Sequence, residues 1–145
     1  MSGITDPTEE FFKDGLWGWD GTQWRKLGLA LWFHATYSED LSCTASSSTP
    51  SVWSSAVPAG YIYVVSSASI RNTTRAVERA EIRVYSDTDV ATFVSYLISL
   101  AQYQPIFFTG TLILPTGWRI LMTMSGCSVG DVIQAGVAGY KVKIT

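Results

Sequence analysis

Short alternations of apolar and polar residues recur along this chain, and they predict β-strands. Ala80, Ile82 and Val84 are separated by residues that carry polar groups, so this strand should bury one face and expose the other. Further strands, several of them rich in β-branched and aromatic residues, are predicted at 27–37, 61–70, 106–114, 118–124 and 132–144. Because turn signals separate these runs, the pattern predicts an all-β fold, either a sandwich or a barrel.

Two segments are less regular. Residues 38–57 are rich in Ser and Thr and lack periodicity, so they predict an irregular connection. Apolar residues within 90–101 have the spacing of a helix, whereas the abundance of Val, Ile, Thr, Phe and Tyr favours a strand. Since the segment has neither charged partners nor a firm helix cap, we expect a strand.

The N-terminal residues differ from the rest of the chain. Residues 1–16 are polar and acidic, and they contain the adjacent Phe11 and Phe12. This pattern predicts an extended N-terminal arm that either frays or docks elsewhere through its two Phe side chains. Residues 17–145 show neither a sustained repeat nor a second composition regime, so they are expected to form a single domain.

That domain begins with a Trp-rich segment, residues 17–27. An Asp-Gly pair lies between Trp19 and Trp24, and Asp-Gly between aromatic residues is a strong turn signal. We therefore predict a β-hairpin whose two strands carry Trp17, Trp19 and Trp24, with the large rings forming a local core.

Composition narrows the classes of function. Only 15% of residues are charged, against roughly 25% in an average domain, and 47% are hydrophobic, with a formal net charge of -2. This excludes intrinsic disorder and a dedicated nucleic-acid binder, which needs a concentrated basic face. No uncharged apolar run reaches the roughly 18 residues of a membrane-spanning helix, and the acidic start is unlike a signal peptide. We expect neither a nucleic-acid nor a membrane partner.

The distribution of charge changes this picture further. No charged residue occurs from Leu41 to Ile70, and only Arg119 and Asp131 are charged from Val90 to Tyr140. The neutral stretches either form a hydroxyl-rich solvated surface or lie against other subunits. Interface cores are poor in charge and rich in aromatic residues, so we favour the second interpretation.

The chain offers little for catalysis or metal binding. His34, Cys43 and Cys127 share no ligand spacing. The cysteines can be free, form one disulfide or pair between subunits. Asp87 and Asp89 are interpreted as solvated turn residues, and no phosphate-binding loop is present. We predict no catalytic residue, no metal ligand and no cofactor.

Four arginines recur at every fourth position, Arg71, Arg75, Arg79 and Arg83. If these positions are strands, the spacing places all four on one face. The interleaved glutamates favour a salt-bridged surface, and the alternative is a contact with an acidic partner, for which Arg71 and Arg75 are the candidates.

Several segments together resemble the structural proteins of tailed bacteriophages. The run Trp-Asp-Gly-Thr-Gln-Trp-Arg-Lys-Leu at 19–27 resembles an N-terminal motif common in these proteins. The segments at 57–65 and 113–120, followed by Gly130-Asp131 and Gly139-Tyr140, are similar to phage β-sandwich modules. The resemblance covers residues 17–145.

The resemblance implies a virion structural protein. Within that class it favours a capsid decoration (cement) protein, which binds the outer surface of the shell and stabilises it. It implies a jelly-roll-like antiparallel β-sandwich, a homotrimer, a major capsid protein as partner, synthesis in the host cytoplasm and a location on the capsid. The expected capsid or subunit contacts are Phe11, Phe12, Trp17, Trp19, Trp24 and Arg25. The alternative is a tail, neck or fibre component with a receptor- or glycan-binding role.

Overall fold

The computed structural model describes residues 17–19, 24–26, 34–86, 88 and 91–144. Each regular element in this part of the chain is a β-strand. The strands are β1 (Trp17–Trp19), β2 (Trp24–Lys26), β3 (His34–Asp40), β4 (Cys43–Thr44), β5 (Ser51–Trp53), β6 (Tyr61–Asn72), β7 (Val77–Tyr85), β8 (Ala91–Leu100), β9 (Ile106–Leu114), β10 (Arg119–Ser125) and β11 (Val132–Lys143). Within the same residues, no helix is long and apolar enough to cross a membrane.

Nine of these strands form two antiparallel sheets. Sheet I has the order β3-β11-β6-β9, with β4 pairing with β11 beside β3, and sheet II has the order β5-β10-β7-β8. From β4 onward, successive strands alternate between the sheets except at β7 and β8, which pair directly. This order of eight principal strands is that of a jelly roll. The expected jelly-roll-like β-sandwich is therefore confirmed.

The core lies between the two sheets because each strand turns its apolar positions inward. Alternate residues of β6 are buried, including Val65 and Ile70, and on β7 the inward residues include Ala80 and Ile82. Met122 of β10 is likewise fully buried. Each large side chain removed from water contributes on the order of 1.5–3 kcal/mol to folding before the entropic cost.

The central pair of sheet I contains a β-bulge. The register of β11 against β6 shifts between Ala138 and Gly139, which leaves Ser66 as an extra residue on β6. The Ser66 hydroxyl donates a hydrogen bond to the Ala138 carbonyl oxygen at 3.2 Å. A Cβ atom at Gly139 would overlap the carbonyl oxygen of Val64, so the strands can approach this closely only with glycine there.

The irregular segments agree in part with the expectations. Residues 91–100 form β8, as predicted, while the segment 38–57 contains the end of β3 and the short strands β4 and β5. β1 and β2 pair antiparallel with Trp19 opposite Trp24, which is the pairing that the Asp-Gly turn predicts. Of the strand predicted at 27–37, residues 27–33 lie outside the described residues, as do Asp87 and Asp89.

Candidate contact surfaces

One lateral edge of the sandwich is formed by β8 of sheet II and β9 of sheet I. Large apolar side chains are exposed along it: Ile98, Phe107 and Ile113 retain 58%, 59% and 59% of their accessible surface, and Leu97 retains 38%. We call these four residues the open edge. No charged residue occurs in the sequence between Val90 and Trp118. Ile98 lies opposite Arg79 on the outer face of sheet II, and Phe107 lies opposite Ser69 on the outer face of sheet I, so the exposed apolar side chains occupy both sides of this edge. Large exposed apolar surface is a candidate for contact sites in proteins.

The backbone of the open edge is also available for contacts. β8 and β9 are the last strands of their sheets and have ten and nine residues. The Ser95 hydroxyl on β8 donates a hydrogen bond to the Phe107 carbonyl oxygen on β9 at 3.3 Å, which links the two sheets. Long edge strands without charge are usually avoided because they pair with other chains.

The opposite edge, formed by β3 and β5, is built differently, and we call it the closed edge. Glu39 on β3 accepts hydrogen bonds from the backbone N–H of Ser55 at 2.9 Å and from the Tyr37 hydroxyl at 2.6 Å. Because Ser55 follows β5, this carboxylate links the two sheets. Burial, together with Glu39, raises the pKa of Tyr37 well above its usual range, so this phenol remains a hydrogen-bond donor at neutral pH.

The outer surface of sheet II carries a buried carboxylate between two arginines. Only 2% of the Glu81 side chain is exposed. Arg83 Nε donates a hydrogen bond to Glu81 Oε2 at 2.7 Å. Arg79 Nε lies 2.9 Å from Glu81 Oε1 as an ion pair without hydrogen-bond geometry. A buried carboxylate needs its cationic partners, because the loss of one leaves an uncompensated charge. We therefore expect Arg79 and Arg83 to stay beside Glu81.

Two aromatic side chains on β8 continue this surface. The Arg83 guanidinium carbon lies 4.0 Å from the centre of the Phe93 ring, a distance at which cation–π attraction operates. Phe93 and Tyr96 contact each other edge to face, with ring centres 6.1 Å apart. Together with the two arginines and Glu81 they line a groove of about 430 Å³. We call these five residues the arginine face.

A second buried carboxylate, Asp131, fixes one end of the sandwich. It accepts hydrogen bonds from the side-chain amide of Asn72, the backbone N–H of Ser128 and Arg75 Nε, each at 2.9 Å. Burial opposes ionisation of Asp131, but these hydrogen bonds and the Arg75 charge outweigh it and hold its pKa below the usual value. The Arg75 side chain therefore ties the turn between β6 and β7 to the start of β11.

Asn72 has a structural role in the same end of the sandwich. Its side chain is 2% exposed, and its Oδ1 atom accepts hydrogen bonds from the backbone N–H groups of Thr74 and Arg75 at 2.7 and 3.1 Å. The turn after β6 is an Asx-type turn closed by this amide. Asn72 begins an Asn-Thr-Thr sequence, the acceptor pattern for N-glycosylation, but its amide group is fully engaged within the fold.

Arg71 lies on the outer surface of sheet I, at the side of a shallow groove. Its Nε donates a hydrogen bond to Gln134 Oε1 at 2.8 Å. The groove, about 560 Å³ in volume, is also lined by Ser42, Ser69 and the exposed Phe107 ring. It combines a guanidinium group, an amide, hydroxyl groups and an apolar ring surface.

The predicted shared face for the four arginines is wrong. Arg71 belongs to β6 of sheet I, Arg75 lies in the following turn, and Arg79 and Arg83 lie on β7 of sheet II. The regular spacing crosses a strand end, so it does not correspond to one surface. The possible contact of Arg71 and Arg75 with an acidic partner stays a prediction.

The other predicted contacts lie largely beyond what the structure describes. Phe11 and Phe12 lie outside the described residues. For Trp17, Trp19, Trp24 and Arg25 the strand positions are described, but not the side chains. Their proposed contacts therefore stay predictions.

The open edge and Glu81 were not among the sequence-predicted site residues. The charge-free run from Val90 to Trp118 pointed to the open edge, but periodicity alone did not show that both its strands end their sheets. Glu81 could have been found from its spacing, because Arg79 and Arg83 lie two residues before and after it and therefore share its face of the strand.

The described residues contain two cysteines, and both are free thiols. Burial raises the pKa of Cys43 and of Cys127, the latter despite a contact from Asn72. Both thiols are therefore protonated at neutral pH. In the part of the chain with assigned positions, no three His, Cys, Asp or Glu side chains are grouped to hold a metal ion.

Comparison of the chain with models of known protein families finds no match, and comparison with curated proteins finds none either.

Proposed function

We propose that this chain is a virion structural protein of a tailed bacteriophage, a decoration protein that binds the outer surface of the capsid and stabilises the shell as a homotrimer. The observation that carries the proposal is the open edge, where exposed Ile98, Phe107 and Ile113 occur in a stretch of chain without charge. A surface of this composition is suited to repeated contacts between subunits.

The architecture supports the proposal physically. A jelly roll with one closed edge and one open edge presents a single long side for contacts. In a homotrimer, each copy would contribute its open edge to the three-fold axis, and cyclic symmetry would make these contacts self-limiting. A stable interface requires roughly 800 Å² from each partner, and a row of half-exposed apolar side chains can contribute much of that area.

The capsid contact is assigned to the N-terminal residues by the resemblance. In the proposal, Phe11 and Phe12 of the arm, together with Trp17, Trp19, Trp24 and Arg25 of the hairpin, bind the major capsid protein or a neighbouring subunit. Linking this segment to a trimer would give three tethered contacts, so that avidity adds to a modest affinity for each. The protein is then made in the host cytoplasm and carried on the virion surface.

The test is cryo-electron microscopy of the particle that carries this protein. We expect density for the β-sandwich at three-fold positions on the outer capsid surface. Particles assembled with the protein lacking residues 1–16 should lose this density, while the isolated variant keeps its trimeric mass in solution. Density confined to the tail would overturn the decoration role.

The groove on sheet I supports a second candidate function, a tail, neck or fibre component that binds glycans. Arg71, Ser69, Gln134 and Phe107 provide charge, hydrogen bonds and an apolar ring surface, which is the combination that holds a sugar ring. In this alternative Phe107 is free to contact sugar and does not lie against a neighbouring subunit. Titration of the isolated protein with bacterial surface polysaccharide should then shift the NMR resonances of Ser69 and Gln134. Arg71→Ala should abolish that shift, whereas Arg119→Ala on sheet II should leave it unchanged.

A further inference from the structure

The arginine face has unused capacity to bind an anion. Arg79 and Arg83 together carry one more positive charge than Glu81 neutralises. Each guanidinium group has five N–H donors, and Glu81 occupies only part of them. The Arg79 side chain is 50% exposed. Two guanidinium groups held by one buried carboxylate are therefore ordered before any ligand arrives, which lowers the entropic cost of binding one.

The same face has an apolar side. Phe93 and Tyr96 are exposed to 56% and 52%, and they line the groove next to Arg83. A ligand that fits this surface carries carboxylates directly beside an aromatic or aliphatic side chain. The chain itself contains a segment of that chemistry. Residues 1–16 include Asp6, Glu9, Glu10 and Asp14 against the single Lys13, and Phe11 and Phe12 follow the two glutamates.

We propose that residues 1–16 bind the arginine face of their own chain. Carboxylates of Glu9 and Glu10 meet Arg79 and Arg83, and a Phe ring at position 11 or 12 occupies the groove beside Phe93 and Tyr96. The covered face is then closed to other acidic partners until the segment is displaced. This inference concerns the free protein and does not depend on the proposed virion function, in which the capsid contact of Phe11 and Phe12 would displace the segment from this face.

The length of chain allows the contact within one copy. Seventeen residues, 17–33, separate the segment from His34, where β3 begins. The seven residues between β2 and β3, 27–33, can alone span up to roughly 23–25 Å. The two sheets of a sandwich lie about 10 Å apart, and neighbouring strands are separated by about 4.8 Å. The outer surface of β7 is therefore within reach from β3. A short tether gives an effective concentration on the order of mM, which favours binding within the chain over binding between copies.

The test uses the full-length chain with Phe11 replaced by a photo-crosslinking phenylalanine analogue. Isotopically labelled and unlabelled copies are mixed before irradiation, and the products are mapped by mass spectrometry. We expect crosslinks to the β7–β8 peptides that contain Arg83, Phe93 or Tyr96, with both halves of each product from the same copy. Crosslinks between copies, or to the open edge or sheet I, would overturn the proposal.

Charge reversal within the segment provides the second arm of the test, because it leaves the Glu81 ion pairs untouched. Glu9→Lys with Glu10→Lys should lower the yield of the β7–β8 crosslink at least about fivefold, and 0.5 M salt should lower it in the parent chain, since exposed charges are screened. Thr36→Lys with Ser38→Lys adds two charges on the exposed part of β3 and should leave the yield unchanged. A yield unaffected by the glutamate reversal would also overturn the proposal.

Discussion

The two lateral edges of the sandwich differ in how far their edge strands are protected from pairing with another chain. At the closed edge, β5 has only three residues, and the Glu39 carboxylate joins β3 to the backbone N–H of Ser55. At the open edge, β8 and β9 are long, and the Ser95 hydroxyl links them through a hydrogen bond to the Phe107 carbonyl oxygen. Charge and a short strand are the common means of preventing strand pairing with another chain. One edge has these features and the other lacks them.

The difference between the edges favours the open edge as the side of the molecule that contacts other subunits. The closed edge exposes Trp53 of β5 at 39%, and its β3 strand also carries Glu39 and Asp40. The open edge exposes Ile98, Phe107 and Ile113 at 58–59%, and neither of its strands has a charged residue. The comparison supports the open edge as the subunit contact in the proposed trimer.

The largest effect is expected from charges at the open edge. Ile98→Glu combined with Phe107→Glu should convert the proposed trimer into monomers and weaken self-association by at least about 100-fold, because association would have to remove two additional carboxylates from water. Both side chains are exposed in the single chain, so the monomer should fold. Sedimentation equilibrium measures the change. As a matched control, Val129→Glu, at a position 76% exposed in the turn after β10, should leave the trimer intact. A trimer unaffected by the double change would remove the open edge from the interface.

A smaller effect is expected at the closed edge, and on stability rather than assembly. Glu39→Ala should lower the free energy of unfolding by about 1–3 kcal/mol, since the buried Tyr37 hydroxyl and the Ser55 N–H lose their acceptor. Denaturant unfolding of the monomeric open-edge variant measures this without interference from assembly. Glu39→Gln keeps one acceptor oxygen and should lose less. Equal losses in the two variants would contradict the role assigned to this carboxylate.

The smallest effect is expected from a change of pH. Acid should lower the stability of the end of the sandwich that Asp131 holds, and it should leave the open edge unaffected. The folded-state pKa of Asp131 is below its usual value. Its contribution to stability is therefore complete above the unfolded pKa, about 3.9, and is lost as pH falls through the folded pKa. Urea midpoints should change little from pH 7 to 5 and fall below about pH 4.

Two controls sharpen the acid experiment. Asp131→Asn should lower stability at pH 7 and flatten the decline below pH 4. The open edge contains no group that titrates between pH 5 and 8, so the trimer mass should be constant over that range. A trimer that dissociates between pH 5 and 8 would show that ionisable groups outside the open edge contribute to the interface.

The strands were the most predictable part of the fold, because their signal is local. The alternation around Ala80, Ile82 and Val84 indicates β7 directly, and Asp-Gly between Trp19 and Trp24 indicates the β1–β2 pairing. The competing helical spacing at 90–101 was decided by side-chain type. β8 is not strictly alternating because its register against β7 shifts between Ile82 and Arg83, which leaves Val94 as an extra residue on β8.

The surfaces were less predictable, since they depend on which strands become neighbours. The regular spacing from Arg71 to Arg83 suggested one face, but Asn72 closes a turn within that run and sends the later residues to the other sheet. Glu81 looked like an ordinary neutralising residue, and its burial follows only from the packing of Arg79, Arg83 and Thr123 around it.

The burial of Asn72 has a practical consequence for producing the protein. In a eukaryotic secretory pathway, the Asn-Thr-Thr sequence would be presented to the glycosylation machinery before the chain has folded. An attached oligosaccharide cannot be accommodated at an amide that bonds Asp131 and closes the turn after β6. A secreted preparation would therefore separate into unmodified copies that fold and modified copies that do not, whereas expression in a bacterial cytosol should give a uniform product.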